Sequence, residues 1–268
     1  MRIAVTGRTM ASISGQPMYC YEVARELRNR GHEVDMISEF GDNELRWGLE
    51  EVGVRCLLLP EGIYDVAFLS ELDYGVQAIT RINIVHSEYD CETPIPYCDG
   101  YVAIRPSIKE HLINEHSIPE KKIRVIYNGV DLTRFKPAKK PERDYKLMVA
   151  PCTLDRLREK FLNVLISTTS KDRQLIIIGA NHGARLMSSP YVEILPPRFD
   201  IEKEIQLADE VHGILLGRVN LEAYACGVDS YIWNPDTLYV EKFEPVKFKE
   251  NHNIVNVVEK LLKFTKSL

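Results

Sequence analysis

The chain has 268 residues, 45% of them apolar and 27% charged, which is ordinary for a soluble globular protein with one large or two small domains. Its formal net charge of −5 argues against a dedicated nucleic-acid binder, which would carry a basic surface, so we expect no nucleic-acid partner. No run of about 18 apolar residues occurs, and the sequence therefore predicts no membrane-spanning helix.

The N-terminus and the cysteines indicate a compartment. Met1-Arg-Ile-Ala-Val5 leads directly into a predicted strand and lacks the apolar region and the cleavage site of a signal peptide. The six cysteines are scattered and none belongs to a Cys-x-x-Cys pair, which argues against a zinc or redox site. Thiols spread in this way are typical of a reducing environment, so we expect a cytoplasmic protein.

The N-terminal part of the chain alternates between strand and helix patterns. Residues 2–6 and 33–38 are short runs of strand length. Between them, Cys20, Val23 and Leu27 have the spacing of one helical face. A strand, a helix and a second strand in this order predict a parallel sheet.

The connection from the first strand to this helix, residues 8–16, is small and polar and contains Ser14 and Gly15. A loop that ends at a helix N-terminus can bind an anion through free backbone N–H groups, although a plain connector fits the same residues. The loop lacks the pattern Gly-x-Gly-x-x-Gly, so a dinucleotide site is a poor fit.

Further short strands and a helix are predicted before the middle of the chain. The strands are residues 57–60, 66–69, 82–85 and 100–104, and Pro106 can open the helix that follows them. His86 comes directly after one of these strands. Ligands bind at the carboxyl ends of strands in an open parallel sheet, so His86 is a candidate contact, with a structural histidine as the alternative.

Residues 123–127 form another apolar run, which Asn128 and Gly129 interrupt because both residue types tolerate positive φ angles. The polar, proline-containing residues 138–145 have the composition of a linker. An Asn-Gly pair is also a common hairpin turn. The residues alone therefore allow two interpretations, a surface hairpin or the last strand of one α/β unit and its exit to a second.

The string Asn128-Gly-Val-Asp-Leu-Thr-Arg-Phe-Lys-Pro137 resembles N-G-V-D-x-x-x-F-x-P of the family-4 glycosyltransferases of GT-B fold, a large retaining family. There the segment closes the N-terminal domain and leads into the hinge. The resemblance implies an α/β fold with two Rossmann-like domains whose parallel sheets face each other across a cleft. Residues 1–138 would form the acceptor-side domain and residues 139–268 the nucleotide-sugar domain, with a last helix that can pack back on the first.

The resemblance continues into the second domain, where the family has an arginine and a lysine that hold the donor's diphosphate. Lys160 matches the lysine, and Arg156 is the nearest match to the arginine, with Arg158 as the alternative. Two cations there would neutralise the leaving group as it gains charge. Phe161 stands where the family has a glycine. Ordinary helix-surface charge would explain the same three cations.

The clearest match is the pattern L-E-A-x-A-C-G-V, which resembles the end of the family string E-G-F-G-L-x-x-L-E-A-M-A-C-G-V-P. A loop with Gly217 would lead into a helix whose first residues, Arg218 and Val219, face phosphates. The resemblance assigns Glu222 to the ribose diol. The family's earlier glutamate, which meets the donor sugar, is replaced here by Ile214.

The resemblance also covers the opening of the first domain, where Arg30-Gly-His-Glu-Val34 matches the end of the family's first helix. The family's glycine-rich loop, a candidate acceptor or phosphate contact, corresponds to Ser14 and Gly15. Its histidine that faces the donor sugar corresponds to His86.

These features together imply retaining transfer of a sugar from a nucleotide-diphosphate sugar, such as a UDP- or GDP-sugar, to a hydroxyl of a sugar, glycan or lipid-linked acceptor. A cytoplasmic enzyme of this kind can also contact a membrane peripherally. No Asp-x-Asp occurs, so we expect no metal and no cofactor apart from the nucleotide sugar as co-substrate.

Two other functions fit parts of the sequence, and a third fits poorly. A catalytically degenerate nucleotide-sugar-binding or scaffold protein of the same fold would account for Ile214 and Phe161. A GT-B sugar epimerase would use a nucleotide sugar without an acceptor. A dinucleotide-dependent dehydrogenase lacks its glycine pattern here.

Overall fold

A computed structural model describes residues 1–88 and 92–268 of the chain. The chain divides into two compact units, the first formed by Met1–Gly129 with Lys247–Leu268 and the second by Val130–Val246. Each unit contains one sheet of mainly parallel strands, with helices in the connections. The predicted α/β class with two Rossmann-like sheets is therefore confirmed.

Strands and helices alternate along most of the chain. The strands are β1 (Arg2–Met10), β2 (Glu33–Phe40), β3 (Arg55–Leu57), β4 (Ile63–Ser70), β5 (Gln77–Val85), β6 (Gly100–Ala103), β7 (Ile123–Val125), β8 (Lys146–Pro151), β9 (Arg173–Ile178), β10 (Val192–Leu195), β11 (Glu210–Ile214), β12 (Asp229–Trp233) and β13 (Val240–Lys242). The helices are α1 (Gly15–Asn29), α2 (Glu44–Glu51), α3 (Pro106–Asn114), α4 (Arg156–Ser167), α5 (Glu202–Leu207), α6 (Arg218–Ala225), α7 (Phe248–His252) and α8 (Ile254–Thr265).

The strand orders are those of doubly wound sheets. The first sheet runs β3-β2-β1-β4-β5-β6-β7 and the second β10-β9-β8-β11-β12-β13. All pairs are parallel except β12 with the short edge strand β13. The carboxyl ends of parallel strands meet at one edge, which we call the ligand edge of each sheet. It includes the ends of β4 and β5 in the first unit and of β8 and β11 in the second.

The first strand is longer than the sequence predicts. It passes through Gly7 and continues to Met10 after a register shift between Thr6 and Thr9, so that Thr9 pairs with Glu39 of β2. The connector to α1 is consequently residues 11–14, and the prediction of a loop over residues 8–16 was wrong at both ends. The bulge allows β1 to continue past Gly7, which the sequence predicts as the end of the strand.

Short elements at the sheet edges were harder to predict. The expected strand at residues 57–60 is displaced, because β3 pairs with only three residues of β2 and ends at Leu57, leaving Leu58 and Leu59 exposed. Helix α2 was not predicted, because only Leu45 and Leu49 of its eight residues are buried and its apolar face is therefore narrow.

The last helix packs within the first unit. In α8, Val257, Val258 and Leu261 are fully buried, and the helix contacts α1. Near the start of α8, Ile254 closely approaches Gly129, the last residue of the first unit's N-terminal segment. A Cβ at Gly129 would lie 2.8 Å from Ile254 Cα, which explains the need for glycine there.

The residues after Gly129 belong to the second unit. Arg134 pairs with Glu202 of α5 at 2.7 Å, and Gln206 of the same helix donates to the Lys136 carbonyl at 3.0 Å. These contacts place residues 130–138 with the second sheet, whereas the predicted boundary lay after residue 138. The acceptor and nucleotide roles of the two units remain predictions.

A buried carboxylate joins four strands of the first unit. The side chain of Asp35 on β2 is 0% exposed and pairs with Arg55 at 2.6 Å and Arg2 at 3.3 Å. It also accepts a hydrogen bond from the Tyr64 hydroxyl at 2.8 Å. One carboxylate thereby ties β1, β3 and β4 to β2.

We expect Asp35→Asn to lower the free energy of unfolding by about 1–3 kcal/mol, because charge-assisted hydrogen bonds to a buried acceptor are lost. Urea unfolding followed by tryptophan fluorescence measures the change. Glu33→Gln is the control, since that carboxylate is 63% exposed and lies 3.7 Å from Arg2 Nε. Equal stability of Asp35→Asn and the control would contradict the predicted role.

Candidate functional site

The ligand edge of the second unit carries a buried ion pair. β11 ends at Ile214, a short loop follows, and α6 begins at Arg218. Arg218 and Glu222 are 8% and 5% exposed, and Arg218 Nε donates to Glu222 Oε1 at 2.6 Å. Their i, i+4 spacing places both on one face of the helix. The structure thus brings together two predicted donor-site residues at the expected edge of the sheet.

A buried asparagine supports the loop that precedes α6. Asn220 is 0% exposed, and its Oδ1 accepts from the Gly217 backbone N–H at 3.2 Å. Its Nδ2 donates to Ser230 Oγ at 2.9 Å and to the Tyr231 carbonyl at 3.1 Å. This side chain fixes the loop against β12. Sequence reasoning missed it, because the N-cap residue is Gly217 and the usual capping pattern pairs a serine or threonine with a glutamate or glutamine three residues later.

Ile214 and Phe161, the two departures from the family pattern, belong to one hydrophobic cluster of the second unit. Phe161 is fully buried and its ring centroid lies 5.4 Å from that of Trp233. Ile214 is 8% exposed at the end of β11. Both departures from the family pattern therefore place an apolar side chain in the core of the second unit.

The predicted cations of α4 fall into two groups. Arg158 forms an ion pair with Asp155, the residue that caps the helix by accepting from the Arg158 backbone N–H at 3.0 Å. Arg156 and Lys160 are exposed and share another face of the helix, where they line a groove of about 510 Å³ and Arg156 lies 3.6 Å from the Glu159 carboxylate. Within the described part of the chain, no hydrogen bond or ion pair connects Arg156 or Lys160 with Glu222.

The first unit places His86 directly after β5. Its Nε2 lies 3.2 Å from Ser70 Oγ at the end of β4, and its ring meets the Tyr19 ring edge-on at 4.9 Å. Burial lowers the pKa of His86 to about 4, so the imidazole is neutral at physiological pH. A neutral imidazole carries one N–H donor and one nitrogen acceptor, so it can exchange hydrogen bonds with a hydroxyl without adding a positive charge.

A glutamate that the sequence analysis missed contacts the backbone of His86. Glu92 is 7% exposed, and its Oε1 accepts from the His86 backbone N–H at 2.7 Å. Burial raises the pKa of Glu92 to about 7. Its spacing from the strand gave no signal. The nearby Glu88 instead pairs with Arg105, and the other nearby carboxylate, Asp90, lies outside the described residues.

Ser14 and Gly15 lie at the exposed N-terminus of α1. Ser14 caps the helix through its backbone, without a side-chain hydrogen bond. A Cβ at Gly15 would meet no atom within 4 Å, so packing does not require glycine there. Both residues are exposed, so a ligand can reach this position.

Within residues 1–88 and 92–268, no cluster of three histidine, cysteine or acidic side chains has an arrangement able to hold a metal ion. Over the same residues, every helix is too short or too polar to cross a membrane.

Comparisons relate the chain to glycosyltransferases. The model of Glycosyltransferase Family 4 matches residues 91–134. Comparison with curated protein sequences gives no match. Because the family model covers only this central segment, the relation of the whole chain depends on structure.

Solved structures share the fold over the full length. HepE from Anabaena, in complex with UDP-glucose, has a TM-score of 0.75 and 13% identity over 100% of both chains. A glycosyltransferase from Rickettsia africae has a TM-score of 0.65 and 15% identity over 99% of this chain and 88% of its own. AviGT4, a glycosyltransferase involved in avilamycin A biosynthesis, has a TM-score of 0.62 and 12% identity over 99% and 97%. At these identities the likeness establishes the fold.

A glycine substitution tests the support of the second unit's loop. A Cβ at Gly213 would lie 2.7 Å from Asn220 Oδ1. We expect Gly213→Ala to destabilise the protein by about 1–3 kcal/mol in urea unfolding, because the buried asparagine has no room to move. Gly15→Ala is the control and should stabilise by about 0.4–1 kcal/mol or change nothing. Tolerance of both substitutions would show that Asn220 does not fix the loop.

Proposed function

We propose, on the basis of the confirmed likeness to the family-4 glycosyltransferases of GT-B fold, that this chain transfers a sugar from a nucleotide-diphosphate sugar to an acceptor hydroxyl. The observation that carries the proposal is the buried pair of Glu222 and Arg218 at the start of α6. A carboxylate and a guanidinium at the ligand edge match a ligand that offers both hydroxyls and phosphates.

Glu222 would bind the nucleotide by accepting hydrogen bonds from the two ribose hydroxyls. Its carboxylate already accepts a hydrogen bond from Arg218 at 2.6 Å, so the nucleotide would replace one buried contact with another. Arg218, at the first position of the helix, would then turn toward the diphosphate. The N-terminal end of α6 and the backbone of Gly217 and Val219 favour the same negative charge.

The cations of α4 would stabilise the leaving group. When the bond between the anomeric carbon and the phosphate oxygen breaks, the diphosphate gains negative charge. Arg156 and Lys160 have exposed side chains on one helix face, so they can move to a ligand. Arg158 is held by Asp155 and is the weaker candidate.

Retention would follow from attack on the face that the diphosphate leaves. The acceptor oxygen forms the new bond to the anomeric carbon while its proton passes to the departing phosphate, so the protein need not supply a base. His86, neutral because burial lowers its pKa to about 4, would hydrogen-bond a hydroxyl of the donor sugar. Ser14 and Gly15 would contact the acceptor or a phosphate at the start of α1.

A nucleotide-sugar-binding protein without transfer is the second candidate. It is favoured by Ile214, an apolar residue at the position where the family pattern has a sugar-contacting glutamate. Binding of a nucleotide sugar with no product from any acceptor would support this candidate over the enzyme.

The ribose contact predicts a specific pattern of calorimetric binding. Titration with UDP, GDP and ADP first identifies the preferred base. Wild type should then bind that nucleoside diphosphate about 10-fold or more tighter than its 2′,3′-dideoxy analogue, because the analogue cannot donate hydrogen bonds to the Glu222 carboxylate. In Glu222→Gln this preference should largely disappear.

Glu193→Gln is the matched control, since Glu193 is an exposed carboxylate on β10 of the same unit. It should keep the wild-type preference for the ribose diol. Retention of that preference by Glu222→Gln would remove the ribose role from Glu222. Failure of wild type to bind any nucleoside diphosphate would remove the donor site.

The reaction predicts a stereochemical outcome and a response to chelation. An α-linked nucleotide sugar should give an α-linked product, identified by the anomeric proton coupling in NMR. Excess EDTA should leave the initial rate unchanged, because the protein cations would neutralise the leaving group. A β-linked product would contradict front-face attack, and loss of the rate that Mg²⁺ restores would contradict metal independence.

A further inference from the structure

Glu92 holds the backbone at the end of β5. Its carboxylate accepts from the N–H of His86 at 2.7 Å and also from the N–H of Ser87. Two successive backbone donors at the ligand edge thus converge on one side chain. Because backbone N–H groups cannot move without the chain, this contact fixes the position from which the His86 side chain extends.

The His86 ring is oriented by different groups. Ser70 Oγ lies 3.2 Å from Nε2, and the Tyr19 ring packs edge-on at 4.9 Å. Tyr19 is 1% exposed, and its hydroxyl finds no hydrogen-bond partner among residues 1–88 and 92–268. β4 and α1 therefore set the ring, while Glu92 sets the backbone that carries it.

The surroundings of Glu92 supply little compensation for its charge. Among residues 1–88 and 92–268, the titratable or charged groups that face it come from α1, the end of β4, the end of β5 and the residue before α3, and they are Cys20, Glu71, His86 and Arg105. Burial has the largest effect, with the repulsion of Glu71 added to it, and raises the pKa of Glu92 to about 7. The Arg105 guanidinium is paired with Glu88.

A carboxylate in such a place weakens the fold when it ionises. Because its folded pKa is raised, its contribution to stability is present below its ordinary pKa of 4.5 and is lost as the pH rises through about 7. A glutamine would accept the same backbone hydrogen bonds without this loss. Strongly perturbed carboxyls at a ligand edge are more typical of functional positions than of packing.

We propose that Glu92 is a positioning residue for the transfer reaction, which fixes His86 at the ligand edge through its ionised carboxylate. The inference rests on the proposed function, in which His86 contacts the donor sugar. The ionised form accepts hydrogen bonds more strongly than the neutral acid, so His86 would be held best above the pKa of Glu92. Turnover should therefore rise with pH where stability falls.

NMR of wild-type protein tests the contact without a variant that must fold. The chain has seven histidines, so ¹⁵N-histidine labelling gives a simple spectrum, in which the His86 amide is identified by its loss in His86→Gln. Its proton shift should titrate between pH 5 and 9 with a midpoint near the Glu92 pKa of about 7. It should not titrate in Glu92→Gln.

Glu88→Gln is the control, because Glu88 is a carboxylate in the same connection that pairs with Arg105 and not with His86. It should keep the titration of the His86 amide. A His86 amide that does not titrate in wild type, or that titrates equally in Glu92→Gln, would overturn the proposal.

Kinetics test the consequence for transfer. Wild-type kcat should rise with pH around the Glu92 pKa of about 7, whereas Glu92→Gln should be flat with pH. The plateau kcat of the variant should be about 10- to 100-fold lower, as for a small misplacement of a reacting group. Donor KM should stay unchanged. A purely structural role would leave the rising limb in place, which would overturn the proposal.

The two measurements separate this inference from the proposed function. If wild type turns over no nucleotide sugar at any pH, the proposed function fails, and the role in transfer fails with it. The amide titration still decides whether Glu92 holds His86. If transfer occurs but neither the His86 amide proton shift nor the pH dependence of kcat changes in Glu92→Gln, only the positioning role is refuted.

Discussion

A buried ion pair governs the ligand edge of the second unit. Glu222 and Arg218 are 5% and 8% exposed on one face of α6. The free energy needed to remove both charges from water is often larger than the free energy of their attraction, so such a pair is weak evidence for stability. Its position at the carboxyl ends of parallel strands, where ligands bind in such sheets, instead favours a role in ligand binding. A ligand with neighbouring hydroxyls and phosphates satisfies both charges, and a nucleoside diphosphate has both groups.

Most of the fold could be predicted because its strands are buried runs and its long helices have clear apolar faces. In α8, Val257, Val258 and Leu261 form such an apolar face, and all three residues are fully buried. Prediction failed where local and tertiary signals differ. Gly7 reads as a strand end, but pairing with β2 carries β1 to Met10. Edge elements with few buried side chains gave too weak a pattern.

The site was predictable where it resembles a family string and unpredictable where it depends on contacts distant in sequence. Glu222 and Arg218 were found from the string, and the structure places them together. That Ile214 and Phe161 belong to one hydrophobic cluster could not be predicted, because the two positions are far apart in sequence and share a core only after folding. Glu92 was missed for the same reason. Its importance comes from a 2.7 Å hydrogen bond to a backbone group, which no spacing rule reveals.

A crystal structure with the preferred nucleoside diphosphate bound would test the central claim most directly. The proposed donor site predicts both ribose hydroxyls on the Glu222 carboxylate. It also predicts that the 2.6 Å contact between Arg218 and Glu222 opens and that Arg218 turns to the diphosphate. A nucleotide bound elsewhere, with the ion pair of α6 intact, would contradict the assignment of this edge to the donor.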